Sequence, residues 1–407
     1  MEEQRHLQEG PDIRNRISPV SKGSTGLEIA IIRKDCGKGR GGAERYCHGL
    51  CLGLRDLGHR VLLLAETCDE DIKGSVEFVP LKVRKINSVT KNLSFHRAVQ
   101  KALLRFPNAV SYALSRTWPV DAFRITDPLH AHTLALRYRL LLKRLWAMLS
   151  PRHQVLLWLE KSVISPEGSR YIVTISELDR NLVQRYYGVS PERIHVIYNG
   201  VDQDVFSPVV RQRRSIVRES LGLGDEITCY IFPAMDFRRK GLAVLLKALS
   251  KLNFPWELLV AGQDRDVSFR KQASKLGIAS KVHFLGRRKD IQDLYGASDL
   301  MVLPTTYDPF GNVHLEALAC GLPVLTTAQA GGAEVVRSGQ TGYVIKNSNN
   351  VDEVAAALKD FESRRDQWPE WREQANISIK PFTSQRNAMQ TAELLSELAH
   401  KRNLRHE

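Results

Sequence analysis

Short apolar runs alternate along this chain with stretches whose apolar residues recur every three or four positions. The first run is Leu27-Glu28-Ile29-Ala30-Ile31-Ile32; near-continuous apolarity over so few residues predicts a strand buried on both faces of a parallel sheet. A glycine-containing loop, Lys38-Gly39-Arg40-Gly41-Gly42, follows it, and residues 43–57 then place Tyr46, Leu50, Leu54 and Leu57 at helical spacing. Gly58-His59 ends that helix and Val61-Leu62-Leu63-Leu64 forms the next strand. A strand, a glycine-rich turn, a helix and a second strand make one β-α-β unit of a doubly wound sheet.

The alternation returns after residue 208. Strands are predicted at 228–232, 257–261, 282–285, 300–304 and 323–326, with helices at 242–252, 269–276, 291–297 and 313–319 between them. The turn-rich stretch from Asn199-Gly200-Val201-Asp202 to Pro208, followed by the charged residues 211–218, marks a join between two α/β domains in tandem. The chain carries no internal repeat and no extended low-complexity tract.

Composition narrows the function. With 59 Lys and Arg against 45 Asp and Glu the net charge is +14, which suits an anionic partner: a nucleotide, a phosphorylated saccharide, a nucleic acid or an acidic membrane surface. No apolar stretch approaches the roughly 20 residues of a membrane-spanning helix. The six cysteines form no CxxC pair and have no histidines at zinc-ligand spacing, so they read as reduced thiols of a cytosolic protein. Residues 1–26 are polar, lack the apolar segment of a secretory signal, and read as a disordered leader.

The densest chemistry lies in Tyr307-Asp308-Pro309-Phe310-Gly311-Asn312-Val313-His314-Leu315-Glu316. Asp308 stands in a loop just past a strand and Glu316 inside the following helix. If every interval between them were helical, they would stand roughly 12 Å apart along the axis, too far for the paired acids of an ordinary glycosidase. They are expected to hold different ends of one ligand, with phosphates at the helix start, which describes a nucleotide sugar. The alternative is a solvated helix acid and an unrelated loop acid. Arg239 and Lys240, in Phe237-Arg238-Arg239-Lys240-Gly241, open another helix, where the helix dipole disfavours cations; a bound anion explains them better than a solvated helix start does. Gly41 and Gly42 form a loop able to approach phosphate or sugar, or simply a tight turn. Asp264-Arg265-Asp266 and Asp202-Gln203-Asp204 have the spacing of a metal-binding DxD without its strand context, so no metal ligands are assigned.

The segment from Asp308 to Glu316, with Ala319-Cys320-Gly321-Leu322-Pro323 after it, resembles the E-x7-E signature of family 4 glycosyltransferases with the GT-B fold, Asp308 standing where most members have Glu. Residues 237–241 resemble that family's basic diphosphate clamp, and Gly41-Gly42-Ala43-Glu44 its N-terminal glycine loop. Gly262-Gln263-Asp264, Val282-His283-Phe284, Gly286-Arg287-Arg288-Lys289-Asp290 and Ala330-Gly331-Gly332-Ala333-Glu334 look most like bacterial glucosyltransferases that extend the heptose core of lipopolysaccharide. The resemblance implies an α/β GT-B architecture, two Rossmann-like doubly wound domains facing across a cleft. An acceptor domain would occupy residues 27–207, with a helix at about 385–407 packing back on it, and a nucleotide-sugar domain residues 208–384.

It further implies a retaining hexosyltransferase moving glucose from UDP-glucose onto a lipid-linked, heptose-containing core without cofactor or metal. Glu316 would hold the ribose, Arg239 and Lys240 the leaving diphosphate and Asp308 the hexose, with Phe310, Gly311 and Asn312 giving backbone donors and Arg287 flanking the uracil. Glu334 would lie near the donor phosphates or the acceptor, unless it is a surface acid. Asp127 and His130, in Thr126-Asp127-Pro128-Leu129-His130, are acceptor candidates or an ordinary polar loop. An enzyme acting on a soluble sugar, or epimerising the donor, is the alternative; a nucleic-acid-binding protein is a remote one, since no nucleic-acid motif is present.

Residues 134–149 carry Arg137, Arg139, Lys143 and Arg144 and no acid, which predicts one amphipathic helix that either faces the core or lies on an anionic membrane. With a lipid-linked acceptor, the enzyme is expected at the cytoplasmic face of the inner membrane.

Overall fold

The computed structural model describes residues 26–37, 42–138 and 140–403. Their contacts divide into two units, one of residues up to Asn199 together with Ser384–Glu407, the other Gly200–Thr383. Residues 200–207 therefore belong with the second unit, eight residues earlier than the sequence join. Val201 explains the difference: its N–H donates to the Phe382 carbonyl at 2.9 Å, and it pairs with Thr383 as an isolated bridge.

The first unit is a seven-stranded, all-parallel sheet in the order Glu77–Pro80, Arg60–Ala65, Glu28–Ile32, Val110–Ala113, Val120–Arg124, Ser169–Thr174, Ile194–Val196. Ile29 to Ile32 and Leu62 to Leu64 are fully buried, as strands covered by helices on both faces must be. The helix Gly42–Asp56 lays Cys47, Leu50, Cys51 and Leu54 on this sheet. Ser384–Asn403 packs beside it, its Ala388 so close that a Cβ on Gly53 would stand 2.7 Å from the alanine's Cβ. Cys36, Cys47, Cys51 and Cys68 converge in the same core as free thiols.

The second unit is a six-stranded parallel sheet in the order Val282–Gly286, Trp256–Ala261, Thr228–Pro233, Leu300–Leu303, Val324–Thr327, Gly342–Ile345. The apolar runs predicted in this half are its first five strands in sequence. In both sheets the strand order reverses beside the first strand, and ligands of doubly wound folds bind at the carboxyl ends of the two strands flanking that reversal. In the second unit these are Thr228–Pro233 and Leu300–Leu303, so the loops 234–241 and 304–312 are the ones that must carry the site.

The single helix predicted over residues 134–149 is two helices, His130–Arg137 and Leu141–Met148. Tyr138 breaks the run with φ −117° and ψ 77°, and Leu134 is buried while Leu142, Trp146 and Leu149 are exposed. The two halves therefore cannot share one apolar face. Among the described residues no helix is long and apolar enough to cross a membrane. The leader up to residue 25 and Gly41 lie outside the described residues.

Candidate active site at the second switch point

The loop after Thr228–Pro233 is shaped by Asp236 and Asp264. Asp236 accepts from the Arg239 backbone N–H at 3.0 Å and from Arg239 Nε at 3.1 Å, and Asp264 accepts from the Phe237 N–H at 2.8 Å. The Asp264 carboxylate thus builds the loop, and Asp202 likewise takes the N–H groups of Asp204 and Val205. Gly241 ends the loop at φ +88°, and a Cβ there would lie 2.1 Å from the Pro304 carbonyl oxygen. Only glycine lets the two switch-point loops come this close.

Two side chains fasten the loops together. Arg239 Nη1 donates to the Tyr307 carbonyl at 2.7 Å, while the Arg239 carbonyl accepts from the Thr306 N–H at 2.9 Å. Lys240 Nζ and Asp308 Oδ2 form an ion pair whose side chains are 10 % and 8 % exposed. Burial, reinforced by Arg239 and opposed by Asp236, pushes the Lys240 ammonium well below the usual lysine range. Direct contact with Asp308 works the other way, so the charged state of each depends on the other. The anion opposite the lysine at this helix start is therefore a carboxylate of the chain itself.

Beyond Asp308 the chain turns at Gly311, φ +75°, where a Cβ would lie 2.6 Å from Asp308 Oδ2 and 2.9 Å from His314 Nδ1. His314, on the helix Val313–Ala319, is fully buried. Its Nδ1 lies 2.7 Å from the Gly311 carbonyl and its Nε2 2.9 Å from Thr326 Oγ1. The carbonyl can only accept, so Nδ1 carries the proton, and Nε2 faces the Thr326 hydroxyl, which also reaches the Leu303 carbonyl at 3.3 Å. Burial pushes this imidazole down to about 4, Lys240 adding to the effect and the bond to Gly311 opposing it. Gly332 packs on the ring, where a Cβ would lie 2.4 Å from Nδ1, and the Gly331 N–H donates to the Asp308 carbonyl at 2.9 Å. Glu334 stands in that same turn, Gly331–Val335. Glu316 is half-buried and accepts from Tyr295 Oη–H at 3.1 Å.

Asp308, Gly311, Arg239 and Lys240 are thus brought together, Phe310 lying buried and Asn312 immediately preceding the helix of Glu316. Arg287 is exposed after Val282–Gly286, two strands from Thr228–Pro233, roughly 10 Å across the sheet. Sequence reasoning passed over His314, Tyr295 and Asp236. The signal for His314 was available: a histidine two residues before Glu316, on the apolar side of a short helix.

The first unit's switch point holds different material. Arg33 donates to the Leu114 carbonyl, Thr126 Oγ1 and Glu44 at 2.8, 2.9 and 3.0 Å. Lys34 donates to Asn92 Oδ1 at 2.6 Å and is pushed down to about 8 by burial, Lys91 and Arg116. Glu160, almost fully buried, accepts from Arg116 at 2.8 Å, from the His130 and Ala131 N–H groups at 2.7 and 3.1 Å, and from Tyr187 Oη–H at 2.5 Å. It closes the N-terminus of the helix His130–Arg137, where a carboxylate complements the dipole. His130 Nε2 is 3.0 Å from His153 Nδ1, and burial pushes His130 down to about 4. Asp127 is exposed on the rim of a small cavity shared with Ser115, Arg116 and Thr126. Gly42 begins the helix Gly42–Asp56.

Known proteins match this arrangement along the chain. The family 4 glycosyltransferase model matches residues 40–205 and the group 1 glycosyl transferase model residues 214–377. The lipopolysaccharide glucosyltransferase WaaG of Escherichia coli is 26% identical over 324 residues, 78% of this chain and 85% of that protein. A D-inositol 3-phosphate glycosyltransferase of Mycobacterium sp. (strain KMS) is 33% identical over 213 residues, 50% of this chain and 47% of that protein. A crystal structure of WaaG superposes with a TM-score of 0.78 at 23% identity, covering 90% of this chain and 99% of that one. HepE of Anabaena in complex with UDP-glucose gives 0.70 at 21% identity, covering 91% and 100%. The chain has the GT-B fold and belongs to the glycosyltransferases in which a family 4 domain precedes a group 1 domain.

Proposed function

We propose that this enzyme transfers glucose from UDP-glucose, with retention at the anomeric carbon, to a hydroxyl of a heptose-containing lipopolysaccharide core or a related lipid-linked glycan. The carrying observation is the clasp of Arg239 on Tyr307 and Lys240 on Asp308, which sets the Arg239 guanidinium and the Lys240–Asp308 pair at the switch point before any donor arrives. Preorganised charge of this kind stabilises a leaving diphosphate without reorganisation. Arg239 retains exposed guanidinium surface for the phosphates, Lys240 acts from within its pair, and that pair holds Asp308 in position for the hexose. Glu316, supported by Tyr295, takes the ribose hydroxyls, the backbone of Phe310, Gly311 and Asn312 donates to phosphate and sugar, and Arg287 flanks the base. With protein cations in this role no divalent ion is required. WaaG is named a lipopolysaccharide glucosyltransferase and HepE was solved with UDP-glucose, which supports both donor and acceptor class.

The same reading places the enzyme on the cytoplasmic face of the inner membrane. Leu142 and Trp146 are 74% and 76% exposed, and Leu140 and Leu149 lie open near them. Lys143 shares their helix and Arg137 precedes it. Apolar side chains open to water among cations suit an anionic bilayer surface.

The specific observation favouring another acceptor is the 33% identity to D-inositol 3-phosphate glycosyltransferases over half the chain. The test is mass analysis of purified enzyme offered UDP-glucose, UDP-galactose and UDP-N-acetylglucosamine, with EDTA present, against a heptose-containing lipid acceptor and against inositol phosphate. Glucose on the lipid acceptor is the expected product. Transfer to inositol phosphate alone, or donor conversion without transfer, defeats the proposal; activity restored only by magnesium defeats its metal-free part. Gln at Arg137, Arg139, Lys143 and Arg144 together should weaken binding to anionic vesicles and leave UDP binding intact.

A further inference from the structure

At the other end of the second sheet lies a group of charges that the transferase chemistry does not use. Asp299 immediately precedes the strand Leu300–Leu303 and is 1% exposed. Four guanidinium groups converge on its carboxylate: Arg214 Nη2 at 2.9 and 3.1 Å, Arg372 Nη2 at 2.9 Å, Arg218 Nη2 at 3.5 Å and Arg211 Nη2 at 3.9 Å. The Cys229 N–H also donates to Asp299 Oδ2 at 3.0 Å, so the one acid is heavily subscribed.

The sequence builds this crowding. Arg211, Arg214 and Arg218 recur at intervals of three and four along the turn Pro208–Arg213 and the helix Arg214–Ser220, a spacing that stacks side chains on one face and that opposes like charges. Arg372 reaches in from the helix Trp368–Ile379. Among the described residues Asp299 is the acid with which all four arginines pair, and the largest other charges acting on Arg211 and Arg372 are arginines of the cluster. The nearby Asp293 is taken by Arg213 at 2.7 Å. Among the described residues four guanidinium groups thus share one carboxylate, an excess of three positive charges in a half-buried group.

The four arginines divide by role. Arg218 is the floor: it is almost fully buried and donates to the Asp225 and Ile227 carbonyls at 2.9 and 2.5 Å. Arg211, Arg214 and Arg372 form the rim, with side chains 33%, 17% and 18% exposed. Arg218 Nε and Arg372 Nε are buried and meet no acceptor among the described residues. Guanidinium forks gathered around too little negative charge are suited to an oxyanion that takes paired N–H donors, as phosphoryl groups do.

We propose that Arg211, Arg214 and Arg372 form a binding site for a phosphoryl oxyanion, separate from the donor crevice. The strand Leu300–Leu303 separates the two: Asp299 lies at its amino end and the loop carrying Asp308 leaves its carboxyl end, roughly 13 Å of extended chain away. The anion could come as free phosphate or as the ester of a sugar.

The test is thermal unfolding of the full-length protein with saturating UDP, which keeps the donor crevice occupied. Inorganic phosphate is titrated against sodium chloride of matched ionic strength. Phosphate should raise the midpoint by about 2–4 °C beyond chloride, and Arg211→Gln should abolish that gain. This variant should fold, because the contacts of Arg211 to Ser298 and Asp299 are long, at 3.5 and 3.9 Å. Without phosphate at low salt its midpoint should equal or exceed the parent's, since a like charge has gone. Glucose 1-phosphate in a parallel arm separates the sources: a larger gain marks a sugar ester and an equal gain free phosphate, both supporting the site if Arg211→Gln removes them. A gain no greater than chloride gives, a gain retained in Arg211→Gln, or a lower phosphate-free midpoint in that variant overturns it.

Discussion

The two sheets of this enzyme reverse strand order at the same place, yet their crevices are furnished differently. In the second unit adjacent loops are locked to each other by Lys240 on Asp308 and Arg239 on Tyr307, and Gly241 removes the side chain that would hold them apart. In the first, Arg33 is tied to Glu44, Lys34 to Asn92 and Arg116 to Glu160, partners carried on three separate helices and not on a neighbouring switch-point loop. A nucleotide diphosphate presents the same geometry in every turnover and rewards a rigid cradle. On the proposed reading the first crevice takes the acceptor, and one assembled from pairs on separate helices can change partner by partner without disturbing the fold.

The largest effect should come from breaking the buried pair. Lys240→Ala leaves Asp308 charged and unpaired, and losing one partner of a buried pair costs about 3–5 kcal/mol. Arg116→Ala in the first unit should cost much less, because Glu160 keeps the His130 and Ala131 N–H groups and Tyr187. Urea unfolding of the two variants measures the difference. Equal losses would show that the crevices are equally rigid and remove the contrast.

Acid should separate the two crevices through their histidines. Burial holds His314 near 4 in the folded protein, below its unfolded value of about 6.5. The depressed folded value favours the neutral ring, so the stabilisation is complete above about 6.5 and is lost as pH falls toward 4, amounting to roughly 3 kcal/mol. His314→Gln should flatten the pH dependence of the urea midpoint across that window. His130 is shifted the same way, but it is only half-buried, so His130→Gln should flatten it less. A steeper dependence on His130 would reverse the assignment of the rigid crevice.

These contrasts also explain what could be read from sequence. The second unit was legible because its strands are continuous apolar runs and its site is carried by two short loops after neighbouring strands, so the motif and the crevice coincide. The strands Val110–Ala113, Val120–Arg124 and Ser169–Thr174 mix apolar residues with Ser111, Asp121 and Arg170, and their buried polar groups find partners that no local pattern announces. Asp121 accepts from the Ser111 N–H and hydroxyl at 2.9 and 2.8 Å. Periodicity likewise ran straight through Tyr138, where the backbone turns out of the helix. Lys240 was read as facing a bound anion because the chain's own anion, Asp308, lies 68 residues later.

Within the rigid crevice the role of Glu316 is open to measurement. Glu316→Gln keeps an oxygen for Tyr295 Oη–H and removes only the charge. A charge-assisted hydrogen bond is worth about 1.5–3 kcal/mol, so UDP affinity should fall roughly tenfold to a hundredfold. Titration calorimetry reads this directly. Unchanged affinity in a folded variant takes Glu316 out of the donor site.

The smallest effect is expected at Asp127, and it tests the other side of the comparison. The residue is exposed beside Arg116 and Thr126 on the rim of the first crevice, so its substitution by Asn leaves no buried charge behind and should not change the unfolding midpoint. If it receives an acceptor hydroxyl, the loss is that of one exposed hydrogen bond, about 0.5–1.5 kcal/mol, or roughly a twofold to tenfold rise in the acceptor KM. UDP affinity should stay the same, because the donor is assigned to the other unit. Steady-state kinetics with the acceptor varied at saturating donor isolates this. A shift in donor KM with none in acceptor KM would mean that the first crevice handles the nucleotide sugar, and the division of labour drawn from the two switch points would fall with it.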